Sequence, residues 1–330
     1  MPIAATTWFE TDDGLKLFVR QWRPEGTAKG ALHIAHGLGE HGGRYERCAR
    51  ALSACGYAVF ANDHRGHGRT APTLDGLGYF ADTDGWNRVV EDLRLLIKAE
   101  RKEYPGLPIM LLGHSMGSFM AQDFLMRHPS LIAGCILSGS NGKDALRVSA
   151  LKALAFIERL RLGKRGRSRL MHLLALNIAN KEFRPTRTLF DWLSRDTAEV
   201  DRFLADPTCG FVGTTQLWFD LLQGASAPGK TENLNRIPKD MPIYIFAGCR
   251  DPVGHNCKRL ERLISVYRRA GLSNVSFKFY PEGRHEMLNE INRDEVTADL
   301  IDWLEKQTRR LDAAIQPQSK APPRFQDSVK

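Results

Sequence analysis

The sequence predicts an α/β protein, built on a mainly parallel sheet of eight strands with helices on both faces. Short apolar runs alternate with longer segments of helical periodicity, which is typical of successive βαβ units. A long central stretch breaks this alternation and shows helical patterns alone. In addition, a Gly-His-Ser-Met-Gly pentapeptide at residues 113–117 stands between a predicted strand and a predicted helix. The 330 residues, 42% of them hydrophobic, suffice for one large core with an insertion.

The first part of the sheet is predicted from residue 7 onward. Strands at 7–9 and 16–22 flank an Asp-Asp-Gly turn, and further strands follow at 31–35, 57–62, 109–112 and 134–137. Helices are predicted at 44–54, 86–103 and 117–127. The second of these shows the helical spacing clearly, with apolar residues at Val89, Val90, Leu93, Leu96 and Ile97.

The second part of the sheet follows the central stretch. Strands are predicted at 242–247 and 275–280, with a helix at 258–269 between them and a last helix at 294–311. We therefore expect a core formed by residues 1–141 and 237–311. Residues 142–236 are predicted to be a helical cap insertion over the carboxyl-terminal edge of the sheet. Residues 312–330 lack apolar periodicity and are predicted to be a disordered tail.

Composition narrows the function classes. The net charge of +9 suits either an anionic membrane surface or simple solubility. Because neither zinc-finger spacing nor an RNP-like aromatic motif is present, we expect no nucleic-acid partner. The first residues show no signal-peptide pattern, no apolar run approaches about 18 residues, and the six cysteines lack paired zinc-ligand spacing. These features predict a reduced cytoplasmic protein, and no cofactor is expected.

The pentapeptide at 113–117 is the strongest chemical signal. A G-x-S-x-G sequence between a strand and a helix is the pattern of a nucleophile elbow, in which the serine occupies a strained turn. Its glycines are needed because larger side chains would collide with neighbouring backbone. The pattern predicts Ser115 as the nucleophile.

A serine hydroxyl needs a base to remove its proton. Of the ten histidines, His285 is the best candidate because it directly follows the last predicted strand, at the sheet edge to which the elbow points. His128 is the weaker rival, since it ends the helix after the elbow.

The acid that orients the base should follow the preceding strand, because triad order in such proteins is Ser, acid, His. Asp251 has this position, and its expected role is to hold the His285 tautomer and stabilise the imidazolium. Asp144, after an earlier strand, is the competing acid.

Acyl transfer also requires donors for the developing oxyanion. The backbone N–H of Met116 follows the nucleophile, and the N–H of Leu38 lies on the loop after an early strand. His36 and His41 on that loop suggest a metal, but a third ligand at suitable spacing is missing, so no metal is expected. The stretch Asp63–Arg69 is interpreted as a turn that supports the loops of the site.

These motifs together resemble the monoacylglycerol lipase and lysophospholipase group of α/β-hydrolases, which is also grouped with serine aminopeptidase-like hydrolases. The resemblance rests on residues 36–41, 63–68 and 113–117 and extends over about residues 7–310. It implies the α/β-hydrolase fold and hydrolysis of a fatty acyl ester through an acyl-enzyme, without a cofactor. Thr70 and Gly254 depart from the group's usual residues, and these changes are expected to affect loop packing alone.

Two alternatives stay open at this level. An amidase or peptidase could use the same triad but would need a charged anchor for the substrate amine. A non-catalytic binding module would normally have lost a triad member, and none is missing. Finally, basic and apolar residues mix at 151–170, which suits either a cap helix packed on the sheet or a peripheral contact with an anionic membrane.

Overall fold

The computed structural model describes residues 3–142, 145–225 and 231–315. Its eight strands form one sheet in the order β1-β2-β4-β3-β5-β6-β7-β8, which confirms the predicted α/β class. The strands are β1 Ile3–Glu10, β2 Lys16–Arg23, β3 Gly30–Ala35, β4 Tyr57–Asn62, β5 Ile109–His114, β6 Gly134–Ser138, β7 Ile243–Gly248 and β8 Val275–Tyr280.

Only β2 runs against its neighbours; the pairs from β4 to β8 are all parallel. The strands β3 to β7 are buried along their whole length, because helices cover both faces of the sheet. In the register, Ala35 lies opposite Gly113 and His114 lies opposite Ser138. The carboxyl ends of the parallel strands therefore meet at one edge, and the loops that follow them converge there.

Helices form the outer layers. On one face α2 and α3 contribute to the larger apolar core, together with α9. On the other face α1 and α10 enclose a second core, in which Trp303 stacks on Tyr244 of β7. The bounds are α1 Glu46–Ala54, α2 Gly85–Glu103, α3 Met116–Arg127, α4 Ala145–Leu162, α5 Arg169–Ala179, α6 Thr197–Ala205, α7 Thr215–Gly224, α8 Thr231–Leu234, α9 Lys258–Arg269 and α10 Arg293–Ile315.

Between β6 and β7 the described residues contain the helices α4 to α8 and no strand. Within this segment α7 packs along α4, and two small apolar clusters hold the helices together. The competing acid Asp144 lies outside the described residues. Among the described helices, none is long and apolar enough to cross a membrane.

Element boundaries differ from the sequence prediction at both ends of the chain. β1 is longer than the predicted 7–9, since its exposed residues pair with β2 along the full strand and backbone pairing leaves no apolar signal. The last helix extends to Ile315, four residues into the predicted tail. The other residues of that tail, 316–330, lie outside the described part of the chain.

Candidate active site

Ser115 occupies a sharp turn between β5 and α3. It is the single residue between His114, which ends the strand, and Met116, which begins the helix. Its φ is 51° and its ψ is −118°, a conformation that L-residues seldom adopt. Two hydrogen bonds stabilise this conformation. The Ser115 N–H donates to the Ser138 carbonyl at 2.9 Å, and the Ser118 hydroxyl donates to the Ser115 carbonyl at 2.6 Å.

The two glycines of the pentapeptide are required by close backbone contacts. A Cβ added at Gly113 would lie 2.2 Å from the Gly117 carbonyl oxygen. A Cβ added at Gly117 would lie 2.0 Å from the carbonyl oxygen of Ala35, at the end of β3. Neither position has room for a side chain, so the motif reflects how tightly α3 starts against the sheet.

His285 and Asp251 come together from the loops after β8 and β7. The His285 Nδ1 lies 3.0 Å from the Asp251 Oδ1, and both side chains are buried. The same carboxylate oxygen accepts the Val253 N–H at 2.9 Å. A proton on Nδ1 that is donated to Asp251 leaves Nε2 as the nitrogen that can accept a proton. Ser115 and His285 line the same cavity, and the sequence predicts them to be a nucleophile and its base.

The electrostatic setting of His285 favours its protonated form. Burial by itself would lower the pKa of this ring, but the charge of Asp251 and the hydrogen bond to it outweigh burial. The pKa of His285 therefore lies above its ordinary value.

Two aromatic rings flank His285. The Trp192 ring lies 4.7 Å from the imidazole, centroid to centroid, and the His114 ring lies 4.8 Å from it. Burial, followed by the nearby positive charge of His285, lowers the pKa of His114 to about 3, so His114 stays neutral. Trp192 belongs to the segment between β6 and β7, and no sequence signal singled it out.

Leu38 and Met116 both border the cavity beside Ser115. Within the described part of the chain, neither backbone amide donates a hydrogen bond. The loop that carries Leu38 is fixed by Glu40, whose Oε1 accepts the Gly37 N–H at 2.6 Å and the Tyr45 hydroxyl at 2.8 Å. The arrangement leaves two free donors near the serine, which is what an oxyanion site needs.

An ion network joins this loop to the loop of the histidine. Arg44 donates to both oxygens of Glu286, at 2.5 and 2.6 Å, and to Glu40 at 2.8 Å. Burial alone would raise the pKa of Glu286, but the Arg44 charge lowers it to about 2. Glu40 and Arg44 follow the Leu38 loop directly, and Glu286 follows His285, so the sequence could have indicated that these residues lie near the site. Their pairing could not, because Arg44 and Glu286 are 242 residues apart in the chain.

The cavity above Ser115 has a volume of about 320 Å³, in the usual range for small-molecule sites. Strand-end loops form its floor. The segment between β6 and β7 forms apolar walls, including Val148, Leu151, Met171, Ala175, Phe211, Trp218 and Leu221.

The other predicted site residues have structural partners. The His36 Nε2 accepts the His64 N–H at 2.9 Å, and its Nδ1 lies 2.8 Å from the Gly37 carbonyl oxygen. The stretch 63–69 thus contacts the Leu38 loop, as expected of a supporting turn. Thr70 accepts the Phe18 N–H and donates to the Asp63 carbonyl, so its role is loop packing.

His41 has neighbours that its sequence position did not show. Ligand atoms of His41, Asp206 and Cys209 lie within 4.8 Å of one another, which is close enough for a metal. However, the His41 Nδ1 accepts the Gly43 N–H at 3.1 Å, so a neutral ring carries its proton on Nε2. That nitrogen lies 2.9 Å from Asp206, which makes the contact an ordinary hydrogen bond. The rival base, His128, caps the end of α3 and does not border the cavity.

The comparisons with known proteins agree with this geometry. Residues 26–292 match the family model for serine aminopeptidase, S33, which covers more than half of the chain. The chain belongs to the serine aminopeptidase S33 family. Within this family of α/β-hydrolases, it is similar to human monoglyceride lipase, with 29% identity over 85% of this chain and 86% of that protein.

Two further relatives extend the comparison. The monoacylglycerol lipase of Mycolicibacterium smegmatis is 29% identical over 88% of this chain and 93% of its own. The crystal structure of a thermostable carboxyl esterase from Bacillus coagulans superimposes with a TM-score of 0.84 at 28% identity, covering 92% of this chain and 99% of that one. The S33 family and the α/β-hydrolase fold are therefore established for this chain.

Proposed function

We propose that this S33-family protein is a carboxylic ester hydrolase that cleaves monoacylglycerol-type esters. The observation that carries the proposal is the Asp251–His285 pair, whose imidazole lines the same apolar cavity of about 320 Å³ as Ser115. The lipase and esterase relatives support the substrate class. An apolar cavity with few polar groups suits a fatty acyl chain.

The proposed reaction has two steps. The Ser115 hydroxyl attacks the ester carbonyl carbon while its proton passes to the His285 Nε2. The amides of Leu38 and Met116 stabilise the oxyanion, and His285 then protonates the leaving alcohol, which leaves an acyl-enzyme. Water attacks this ester after giving a proton to His285, and the return of that proton to Ser115 releases the acid. Asp251 keeps the imidazole in the required tautomer throughout.

The cavity also favours an ester over an aminoacyl substrate. Recognition of a substrate amine requires an anionic anchor. The carboxylates among the described residues that line the cavity are Glu40 and Glu286, and both are paired with Arg44. Both carboxylates are already held by the Arg44 guanidinium, so neither is an unpaired anion that could serve as the anchor of the peptidase alternative.

The test is a hydrolysis panel of monoacylglycerol, lysophospholipid, short p-nitrophenyl esters and aminoacyl amides. We expect the monoacylglycerol to be cleaved with the highest kcat/KM. Ser115→Ala should lower the rate on every ester by about 10⁴-fold or more while the folded state is kept. Preferred cleavage of the amides would overturn the substrate assignment, and more than a few per cent of residual activity in Ser115→Ala would overturn the nucleophile.

We further propose that the helical segment between β6 and β7 acts as a cap and touches a phospholipid surface. Large apolar side chains on α4 and α5 are exposed there, among them Ile157 at 58% and Leu160 at 72%. The same helical pair carries exposed Leu170 and Leu173, with the basic Arg165 and Arg169 nearby. Exposed apolar groups beside cations are typical of helices that lie in a headgroup layer.

This contact can be tested by vesicle co-sedimentation. Leu160→Ser should weaken binding to phospholipid vesicles, because it removes the most exposed of these apolar groups. Phe277→Ser is the control, since Phe277 is 45% exposed but lies on β8 of the sheet and not on the helical segment between β6 and β7. Equal binding of both variants would show that the cap is not the contact surface.

A further inference from the structure

The loop after β7 brings two cysteines into contact. The Sγ atoms of Cys249 and Cys257 lie 3.0 Å apart, and both thiols are free. A disulfide has an S–S distance of about 2.05 Å, so the two atoms need to approach by only about 1 Å. Among the six cysteines, all within the described ranges, no other two have sulfur atoms in contact.

An unusual backbone turn produces this contact. His255, Asn256 and Cys257 have φ values of 50°, 52° and 68°, three successive non-glycine residues in the left-handed region. Such residues are uncommon singly, and they persist where the surrounding structure over-determines them. The turn directs Cys257 back towards the end of β7, where its thiol also lies 3.7 Å from the Gly248 carbonyl oxygen.

The two thiols differ in accessibility. Cys249 is half-buried, whereas Cys257 is buried. Burial, followed by the neighbouring Cys249, raises the pKa of Cys257 well above its ordinary value. An oxidant in solution therefore meets Cys249 first, and Cys257 is placed to react with the product.

We propose that Cys249 and Cys257 form a reversible disulfide that closes the loop around Asp251. A peroxide oxidises the Cys249 thiol to a sulfenic acid and is itself reduced, hydrogen peroxide to water and an organic hydroperoxide to an alcohol. The Cys257 sulfur then attacks the Cys249 sulfur, the S–S bond forms, and the sulfenic oxygen leaves as water. Together the two thiols lose two electrons and two protons, and a small thiol reductant reverses the process by exchange.

The disulfide would fix the segment that carries the proposed acid. Asp251 lies inside the closed loop, and its carbonyl oxygen accepts the Asn256 N–H at 3.0 Å. Because the sulfurs are already in contact while Asp251 is bonded to His285, closure requires no rearrangement of that pair. Restricting a loop of about nine residues stabilises the folded protein, and we expect the oxidised form to melt about 5 °C higher.

The position of Arg250 allows a direct test. Trypsin cuts after Arg250, between the two cysteines, so a disulfide joins the tryptic peptides 240–250 and 251–258. The folded full-length protein is treated with hydrogen peroxide, its free thiols are blocked with N-ethylmaleimide, and it is digested without reductant. We expect the joined peptides by mass spectrometry, and we expect dithiothreitol to separate them.

Matched cysteine variants complete the experiment. Cys249→Ser and Cys257→Ser should each lose the joined peptides and the rise in melting temperature. Cys55→Ser should keep both, since Cys55 is also half-buried but is distant from this loop. Separate labelling of Cys249 and Cys257 after peroxide treatment would overturn the proposal, as would equal melting temperatures of the reduced and oxidised protein. Neither measurement depends on the proposed hydrolase activity.

Discussion

At the scale of single residues, the position of one proton decides what the site can do. The Asp251 carboxylate lies 3.0 Å from the His285 Nδ1, so the proton belongs on that nitrogen. In the proposed mechanism the opposite nitrogen is then free to accept the proton of Ser115. An asparagine at position 251 would keep the shape of the side chain but could present its amide to Nδ1, which would favour the wrong tautomer.

We therefore expect Asp251→Asn to lower kcat by about 10⁴-fold while changing KM little. Asp144→Asn serves as the control, because Asp144 was the competing acid in the sequence. A large loss of kcat in Asp144→Asn, with Asp251→Asn close to the wild type, would mean that the acid follows the other strand.

The pH dependence provides a second prediction at this scale. His285 accepts a proton only when it is neutral, and its pKa is raised above the ordinary value of 6.5, chiefly by Asp251 acting against burial. Thus kcat/KM should rise with pH through a midpoint above 6.5 and fall as the ring is protonated below it. In the Ser115→Ala background, Asp251→Asn should move the His285 titration, followed by NMR, to lower pH. An unchanged midpoint would contradict the assigned cause.

At the scale of secondary-structure elements, the site depends on how closely the chain approaches itself at the ends of the neighbouring strands β3 and β5. The start of α3 lies against the end of β3, and Gly117 is where the two backbones meet. A Cβ at Gly117 would be 2.0 Å from the Ala35 carbonyl oxygen, a distance that requires the elbow or the Leu38 loop to move. Either movement displaces Ser115 from the proposed oxyanion donors.

Gly117→Ala should therefore lower kcat by about 100-fold or more, since small misplacements of reacting groups have effects of this size. Gly254→Ala is the matched control: its added Cβ would meet Leu260 at 3.4 Å, an ordinary contact, and its φ is not positive. Wild-type kcat in Gly117→Ala would show that the elbow has more room than the structure indicates.

Replacing Arg44 tests whether the contact between the Leu38 loop and the His285 loop matters for the reaction. Arg44 joins Glu40, which holds the Leu38 loop, to Glu286, which follows His285. Arg44→Gln removes that charge and leaves two buried carboxylates facing each other, so we expect kcat to fall by about 10- to 100-fold with a smaller change in KM. Arg44→Lys should restore little of this, because lysine cannot make the bidentate contact.

Arg50→Gln is the control for that variant. Arg50 lies on α1, close to Arg44 in the chain, but pairs with Glu46 at the exposed surface, where an ion pair contributes little. If Arg44→Gln and Arg50→Gln have equal kcat and equal melting temperatures, the Arg44 network does not position the loops.

At the scale of the whole molecule, the proposed membrane contact would combine the net charge of +9 with the exposed apolar residues of the cap. The structure reduces the number of cap cations that can meet a membrane. Arg167 donates to the backbone carbonyls of Leu77 and Val212, so it joins the cap to the core. Arg161 pairs with Glu158. Arg165 lies 3.9 Å from Asp82 at the exposed surface, where an ion pair contributes little, and Arg169 is also exposed, so these two are the candidates for contact with lipid.

Each basic residue near an anionic surface contributes about 1 kcal/mol. The double variant Arg165→Gln, Arg169→Gln should therefore bind anionic vesicles about 30-fold more weakly than the wild type. Binding of the wild type should also weaken as salt rises, since the attraction is screened beyond about 8 Å at physiological ionic strength. Co-sedimentation at low and high salt measures both effects.

Lys258→Gln, Arg262→Gln is the charge-matched control, because these exposed cations lie on α9 and not on the cap. Equal weakening by the two double variants would mean that net charge, and not the cap surface, determines binding. Hydrolysis of a soluble short-chain ester should be unchanged in both variants, since neither contains a residue of the proposed triad.

The amino-acid sequence by itself determined the sheet and pointed to the residues proposed for the triad. Strands such as β4 and β7 are buried on both faces, so they must be continuous apolar runs, and such runs are visible in one dimension. The elbow was predictable because its two glycines stand where a side chain would collide with neighbouring backbone. Asp251 and His285 were predictable because parallel strands place their carboxyl ends at one edge, so position after a strand fixes position in space.

Only the tertiary structure decided the contacts that join distant segments. The pairing of Arg44 with Glu286, the Trp192 ring beside His285 and the two cysteines beside Asp251 have no local pattern. An ion pair between residues far apart in the chain depends on the packing of both segments and on the exclusion of water. The left-handed turn at 255–257 contains no glycine, so the sequence gives no signal of it. Such features follow from the assembled fold. The contacts that stabilise them are made with residues that are distant in the sequence.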